Sequence, residues 1–198
     1  MGRPREHDER TAAALLDSAE RLIETGGPEA LSLRQIAHRA RTTTRAVYGL
    51  FGSKEGLIGA LGNRAFEILG AGIRALPITK DPVADLVDAG VLVFRRFALE
   101  HPSLFRIGIQ RDALSKSLAE RFRPTRLEAL ALLQQRVDRL SDKRRRGGHM
   151  SSETTIAFHA ALCEGLAALE LRGLLPAGHE ERLWRHAFIA LLTGFTDA

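Results

Sequence analysis

Cysteine is almost missing from this sequence. The single thiol, Cys163, excludes a disulfide within the chain and any metal site built from several cysteines. It also suits a reducing compartment. No apolar run approaches the roughly 18–20 residues that a membrane span needs. The start, MGRPREHDER, is charged and reads as no secretory signal. Glu6 breaks the myristoylation pattern. The expectation is a soluble, cytoplasmic protein without a membrane partner. Strand signals are lacking too, because no stretch alternates apolar and polar residues and β-branched residues are sparse. There is no Gly-rich phosphate loop, no HExxH and no GxSxG, so an all-helical enzyme has no nucleophile–base pair or metal set to work with. The sequence calls for no cofactor, and neither a repeat nor a low-complexity tract is present.

What remains is an ordinary globular composition. The 198 residues are 44% hydrophobic, 27% charged and 6% aromatic, enough for one or two domains with a real core. The formal charge is +5, a modest excess that suits a polyanion. Lysine occurs only at 54, 80, 116 and 143, so the rest of the 29 Lys+Arg residues are arginine. Codon bias and a preference for the guanidinium fork both account for that skew.

Helical periodicity runs throughout. Ala12, Leu15, Leu16, Ala19, Leu22 and Ile23 give the first stripe, over about 8–25, closed by Gly26-Gly27-Pro28. Ser32 and Gln35 have capping-box spacing, and Leu31 and Ile36 have staple spacing, so a short helix starts there and ends near Arg41. Thr42-Thr43-Thr44 caps a second short helix, and Ser53 caps a long one reaching about Ala75. Pro77 to Asp81 reads as a linker, and Asp81-Pro82 restarts a helix to about Glu100. His101-Pro102 interrupts it. Shorter helices are expected at about 103–110 and 113–122, with Pro124 restarting a longer one to about Leu140. Residues 141–152 read as a loop, and two helices, about 153–172 and 179–195, close the chain. The fold class is all-α, with about nine helices.

Two short helices joined by a tight turn, flanked by longer ones, make a helix-turn-helix. Residues 30–54 contain no Asp or Glu but carry Arg34, Arg39, Arg41, Arg45 and Lys54. A phosphate-facing surface needs that local one-sidedness more than a high net charge. A solvated basic face is the alternative, and the cap-helix-turn-helix-cap order weighs against it.

The run Tyr48-Gly49-Leu50-Phe51-Gly52-Ser53-Lys54-Glu55 fits a tyrosine–x–x–phenylalanine–x–serine–lysine–glutamate pattern. With the preceding LSLRQIAHRARTTTRAV it resembles the DNA-binding domain of TetR-family transcriptional regulators, over roughly residues 10–65. Arg41 stands where that family usually has the turn glycine, and a slightly altered turn is expected there. The resemblance implies a DNA-binding domain over 1–56, with a connecting helix at 54–75. Residues 43–50 would be the recognition helix, laid in the major groove. Thr44, Arg45, Tyr48 and Gly49 would face outward. Arg45 is the best base reader, since its fork suits the guanine edge. Tyr48 would give its hydroxyl to a phosphate, a half-buried aromatic being the alternative. Lys54 would hold a phosphate at a helix N-terminus. Ser32 and Thr43 would cap and touch phosphate at once, and Arg34 joins the basic surface. Arg3 and Arg5 form either an arm over the backbone or a disordered tail.

Residues 77–198 would form an effector-binding and dimerisation domain. Between Thr154 and Leu171 the only charges are Glu164 and Glu170, and a helix apolar all round must be covered on both faces. A twofold homodimer is therefore expected, through Ala157, Ala161, Gly165, Ala168, Trp184, Phe188, Leu191 and Phe195. It would read a palindromic operator with half-sites about one DNA turn apart. Phe94, Phe97, Phe105, Phe122 and Phe158 are candidate pocket lining for a small-molecule effector, plain core packing being the alternative for each. Glu164 either binds a basic effector group, pairs with Arg95 or Arg96, or lies across the dimer axis. His159 and Cys163 share a helix face, but no third metal ligand accompanies them. His101-Pro102-Ser103-Leu104-Phe105 resembles the opening of a C-terminal subclass with a tryptophan–histidine–glycine motif, of which only Gly165 is matched here. The implied function is a ligand-released repressor binding double-stranded DNA. The alternative is a DNA-binding regulator or adaptor controlled by a protein partner.

Overall fold

The computed structural model describes residues 5–27, 30–110, 116–143 and 151–194. Arg3 and Phe195 lie outside the described residues, as do the side chains of Arg5 and Phe122. Every regular element among the described residues is helical, as the periodicity predicts. The chain divides into two compact units, residues 1–65 with 101–124, and residues 66–100 with 125–198. The sequence boundary follows the chain order, whereas these units follow the packing.

The first unit holds α1 (Arg5–Gly26), α2 (Leu33–Arg39), α3 (Thr44–Phe51) and the first half of α4 (Lys54–Ala75). It also holds α7 (Pro102–Leu104), whose chain continues through a π-helical stretch, Phe105–Ile109. Its core is the predicted stripes: Leu15, Ala19 and Ile23 of α1, Ile36 of α2, Val47 of α3, and Leu57 and Leu61 of α4, all fully enclosed. Phe105 and Ile107 join them. Gly108 allows the close approach that seats this segment, because a Cβ there would lie 2.8 Å from that of Ala65.

The His101-Pro102 break has a structural reason. The buried Glu20 of α1 sits 2.7 Å from Nδ1 of His101. The Ser103 hydroxyl donates to the Glu20 carbonyl at 3.2 Å. Arg64 pairs with Asp17 at 2.6 Å and lies 3.8 Å from Glu20. Polar groups buried this deeply need such partners, so the turn is fastened to the middle of α1.

In the second unit, α5 (Pro82–Asp88) runs through a π-helical stretch, Ala89–Arg95, into α6 (Arg96–Glu100). It packs with the end of α4, with α8 (Lys116–Lys143) from Thr125 onward, and with α9 (Ser152–Leu171) and α10 (Glu180–Gly194). The Asp81 side chain caps α5, accepting from the amides of Val83 and Ala84 at 3.0 and 3.2 Å. Trp184, Phe188 and Leu192 of α10 fill the centre. A Cβ on Gly90 would meet the Phe188 ring at 2.3 Å, so only glycine lets that ring in.

Two arginines of α8 fasten the connection after α4. The buried Arg136 guanidinium donates to the carbonyls of Ile73, Leu76 and Pro77, satisfying acceptors that a helix end leaves open. Arg139 pairs with Asp85 and donates to the Thr79 carbonyl. Burial by itself raises the Asp85 pKa, but the hydrogen bonds from Thr79 and Arg139 outweigh it and hold the carboxyl below its ordinary value. One expectation is corrected here. Pro124 does not start a helix but lies within α8, where it deprives the chain of one amide donor.

α9 also departs from the sequence reading, because by length and composition alone it could cross a membrane. Its packing argues for a different role. Glu170 is bound bidentately by Arg95, at 2.7–3.1 Å, and by the Trp184 indole at 2.8 Å, all within one unit. Arg95 therefore pairs with Glu170, six residues beyond the Glu164 that sequence reasoning offered. Only 28% of the apolar window of α9 is buried.

Candidate nucleic-acid interface

The sequence builds the reading head from its caps. Ser32 closes the start of α2, its hydroxyl 3.5 Å from the Gln35 amide. The turn after α2 carries two nested bonds, Arg41 N–H to His38 O at 3.1 Å and Thr42 N–H to Ala37 O at 2.9 Å. This is the Schellman arrangement, which wants a left-handed residue at its corner. Arg41 occupies that corner with φ 52°, the only positive φ outside glycine among the described residues. The turn is therefore kept in full, and Arg41 bears a strain of roughly 1–2 kcal/mol that glycine would avoid.

Thr43 then caps α3 by accepting from Ala46 N–H at 3.2 Å. Gly52, at φ 74°, ends α3, and the Ser53 hydroxyl accepts from Gly56 N–H at 3.0 Å to open α4. On α3 only Val47 is fully enclosed, and Leu50 and Phe51 are half-buried against the unit. Thr43, Thr44, Arg45, Tyr48 and Gly49 face solvent, as do Arg34, Arg39 and Arg41, while Ser32 and Lys54 are partly exposed. Tyr48 is 55% exposed, which sets aside the half-buried alternative. A Cβ on Gly49 would meet nothing within 4 Å. The fold therefore does not require glycine there, although it weakens a helix by about 1 kcal/mol relative to alanine. Its bareness serves an outward surface.

The assembled face is two short helices at a tight corner, one of them displayed, with arginines and hydroxyls outward and no acid from residue 30 to 54. The profile of the "Bacterial regulatory proteins, tetR family" matches residues 15–61. The chain carries a TetR-family DNA-binding domain. The whole described chain has the fold of the family's transcription regulators. A TetR-family transcription regulator from Marinobacter aquaeolei superposes with TM-score 0.69 at 18% identity, covering 98% of this chain and 100% of that one. The TetR-family regulator PfmR from Thermus thermophilus does so with TM-score 0.66 at 20% identity, covering 90% and 97%. A protein of unknown function from a Rhodococcus species reaches TM-score 0.81 at 22% identity, covering 94% and 96%. The comparison with curated proteins yields no match. The family match thus covers the helix-turn-helix segment, residues 15–61, and the likeness of the rest is one of fold.

The sites expected beyond this domain are placed as follows. The pocket candidates are dispersed. Phe105 is fully buried in the first unit, Phe97 is buried in the second with Phe94 edge-on at 6.2 Å, and Phe158 and Glu164 lie on the exposed side of α9. The second unit instead carries a groove of about 590 Å³ lined chiefly by Gly72, Ala75, Leu92, Arg95, Arg96 and Leu99. The sequence carries no signal for it, because its walls come from elements far apart along the chain, Gly72 and Ala75 of α4 and Leu92 to Leu99 beyond the linker.

Of the interface candidates, Ala157, Ala161 and Gly165 are exposed, and Ala168 and Leu191 are partly so. Trp184 and Phe188 are fully enclosed within their own chain and leave no surface for a partner. On α10 the exposed apolar positions are instead Ile189 and Ala190.

His159 and Cys163 are both buried. Burial drives the imidazole down to about 4, so it is neutral, with Nε2 donating to the Leu86 carbonyl at 3.1 Å. The Cys163 sulfur lies 3.7 Å from its Nδ1, and burial, followed by the charge of Glu164, pushes the thiol well up. Among the described residues no three potential ligands converge on a metal position.

Proposed function

We propose that the protein is a cytoplasmic homodimeric repressor, released from a palindromic operator by a small-molecule effector. The observation that carries this reading is the displayed face of α3, where Thr44, Arg45, Tyr48 and Gly49 all point outward within a basic stretch, residues 30–54, that itself contains no acid. Arg45 reads a guanine edge with two hydrogen bonds, while Tyr48, Lys54 and the Ser32 and Thr43 hydroxyls hold phosphates. The exposed apolar face of α9 supports the twofold assembly, since a soluble chain covers such a face. Pairing two recognition helices fixes half-sites roughly 34–36 Å apart. The groove beside Arg95 and Arg96 offers the effector apolar walls and a polar rim. Its occupation shifts the balance between two arrangements of the recognition helices, a coupling of about 1–3 kcal/mol.

Arg45 and Lys54 separate reading from holding. Arg45→Ala should cost about 1–3 kcal/mol on the operator and relax preference at one base pair of each half-site, with little change on random duplex. Lys54→Ala should weaken every sequence about equally and lower the salt slope by about one. Titrations of operator and random duplex at several salt concentrations check both. An equal loss on the two duplexes for Arg45→Ala would remove it as the base reader.

A further inference from the structure

The reading face is free of acid along its own stretch, yet a carboxylate meets it from another helix. Asp8, on the first turn of α1, lines a cleft of about 310 Å³ together with Thr43, Arg45, Gly49 and Leu50. α1 and α3 pack together within the first unit. Asp8 is partly exposed and Arg45 is exposed. A carboxylate beside a phosphate-binding surface opposes the polyanion and weakens sequence-independent binding. It also bars a phosphate from this cleft. A base edge and a guanidinium are the groups that fit. Gly49 contributes to the fit, because it lines the same cleft without adding a side chain to it, and no packing within the protein requires that absence.

We infer that Asp8 is a positioning residue for Arg45, and that it sets the base preference of the reading helix. A guanidinium has five donors in a fixed plane. Reading guanine O6 and N7 uses two of them, and the others remain for a partner behind the fork. The Asp8 carboxylate takes that second edge once DNA is bound. The long arginine side chain is then held in one orientation, and its two bonds to guanine are made without further loss of rotamer freedom. The same carboxylate repels duplexes that offer Arg45 no guanine, so it sharpens specificity from both sides. This inference rests on the reading of Arg45 as the base contact.

Selection from a randomised duplex library tests it, with the full-length wild type, Asp8→Asn, Arg45→Ala and the double variant. Asp8→Asn should lower guanine preference at the pair read by Arg45 about tenfold, the lower range of one bidentate pair. Preferences elsewhere should stay unchanged, and affinity for random duplex should rise. In the Arg45→Ala background the Asp8 change should alter no base preference, which a merely structural role for Asp8 would not produce. If Asp8→Asn strengthens all duplexes alike with preferences intact, while Arg45→Ala still relaxes one position, the positioning role is overturned and the base-reading role stands. If Arg45→Ala leaves every preference in place, both are overturned.

Discussion

Gly165→Arg should yield a folded monomer that has lost nearly all affinity for its operator. The position lies on the exposed side of α9, and a Cβ there meets nothing within 4 Å. The chain itself therefore accommodates the side chain, and arginine is a better helix former than glycine by about 0.8 kcal/mol. The cost falls on the proposed assembly. In a close-packed seam through Ala157, Ala161 and Gly165 an arginine side chain has no room, and overpacking drives the helices apart. Losing the second half-site removes the gain from linked binding, about 10²–10⁴-fold in affinity. Solution mass and duplex titration read the two effects separately. A variant that stays dimeric would show that α9 is covered in some other way.

Glu170→Ala should be the most damaging single substitution within the second unit. The Glu170 carboxylate joins three elements, accepting from Arg95 of the π-helical stretch and from Trp184 of α10. Its side chain is 9% exposed and that of Arg95 20%. Removing it leaves the indole N–H without an acceptor and the guanidinium with only Glu181, 3.8 Å away, in a shielded place, a loss of about 3 kcal/mol. That corresponds to a fall on the order of 10 °C in melting temperature for a chain of this size. Glu170→Gln, which keeps one carbonyl acceptor, should fall between. Thermal melts followed by Trp184 fluorescence check this, and a shift within about 2 °C would contradict the account.

The readable parts of this sequence are those in which one residue does one local job. Ser32, Thr43, Ser53 and Asp81 each cap a helix because their side chains reach an amide two or three residues ahead, and short-range spacing suffices to find them. The charge gap over residues 30–54 is equally local, and the displayed face of α3 follows from Val47 being its one enclosed residue. Arg41 was readable as a departure, but its left-handed φ needed the structure to appear.

What stayed hidden depends on partners far along the chain. Glu20 and His101 are separated by 81 positions, and Arg95 and Glu170 by 75. Periodicity has no means of matching such pairs. α9 is apolar almost all round, so its pattern carries no phase and the buried and open sides cannot be told apart. The same holds for the second half of α10, where Phe188 reads as interface although it turns inward against Gly90, and Trp184 is likewise enclosed. Large aromatics are the natural filling of a centre left open by glycine. Pro124 within α8 is a tertiary override of a local stop signal.

The most direct test of the whole account is retention of sheared genomic duplex on the purified full-length protein, followed by sequencing of what is held. The account predicts enrichment of fragments sharing an inverted repeat, with half-site centres about one helical turn apart. Retention of no duplex even at low salt, or of duplex without any shared sequence, would contradict it.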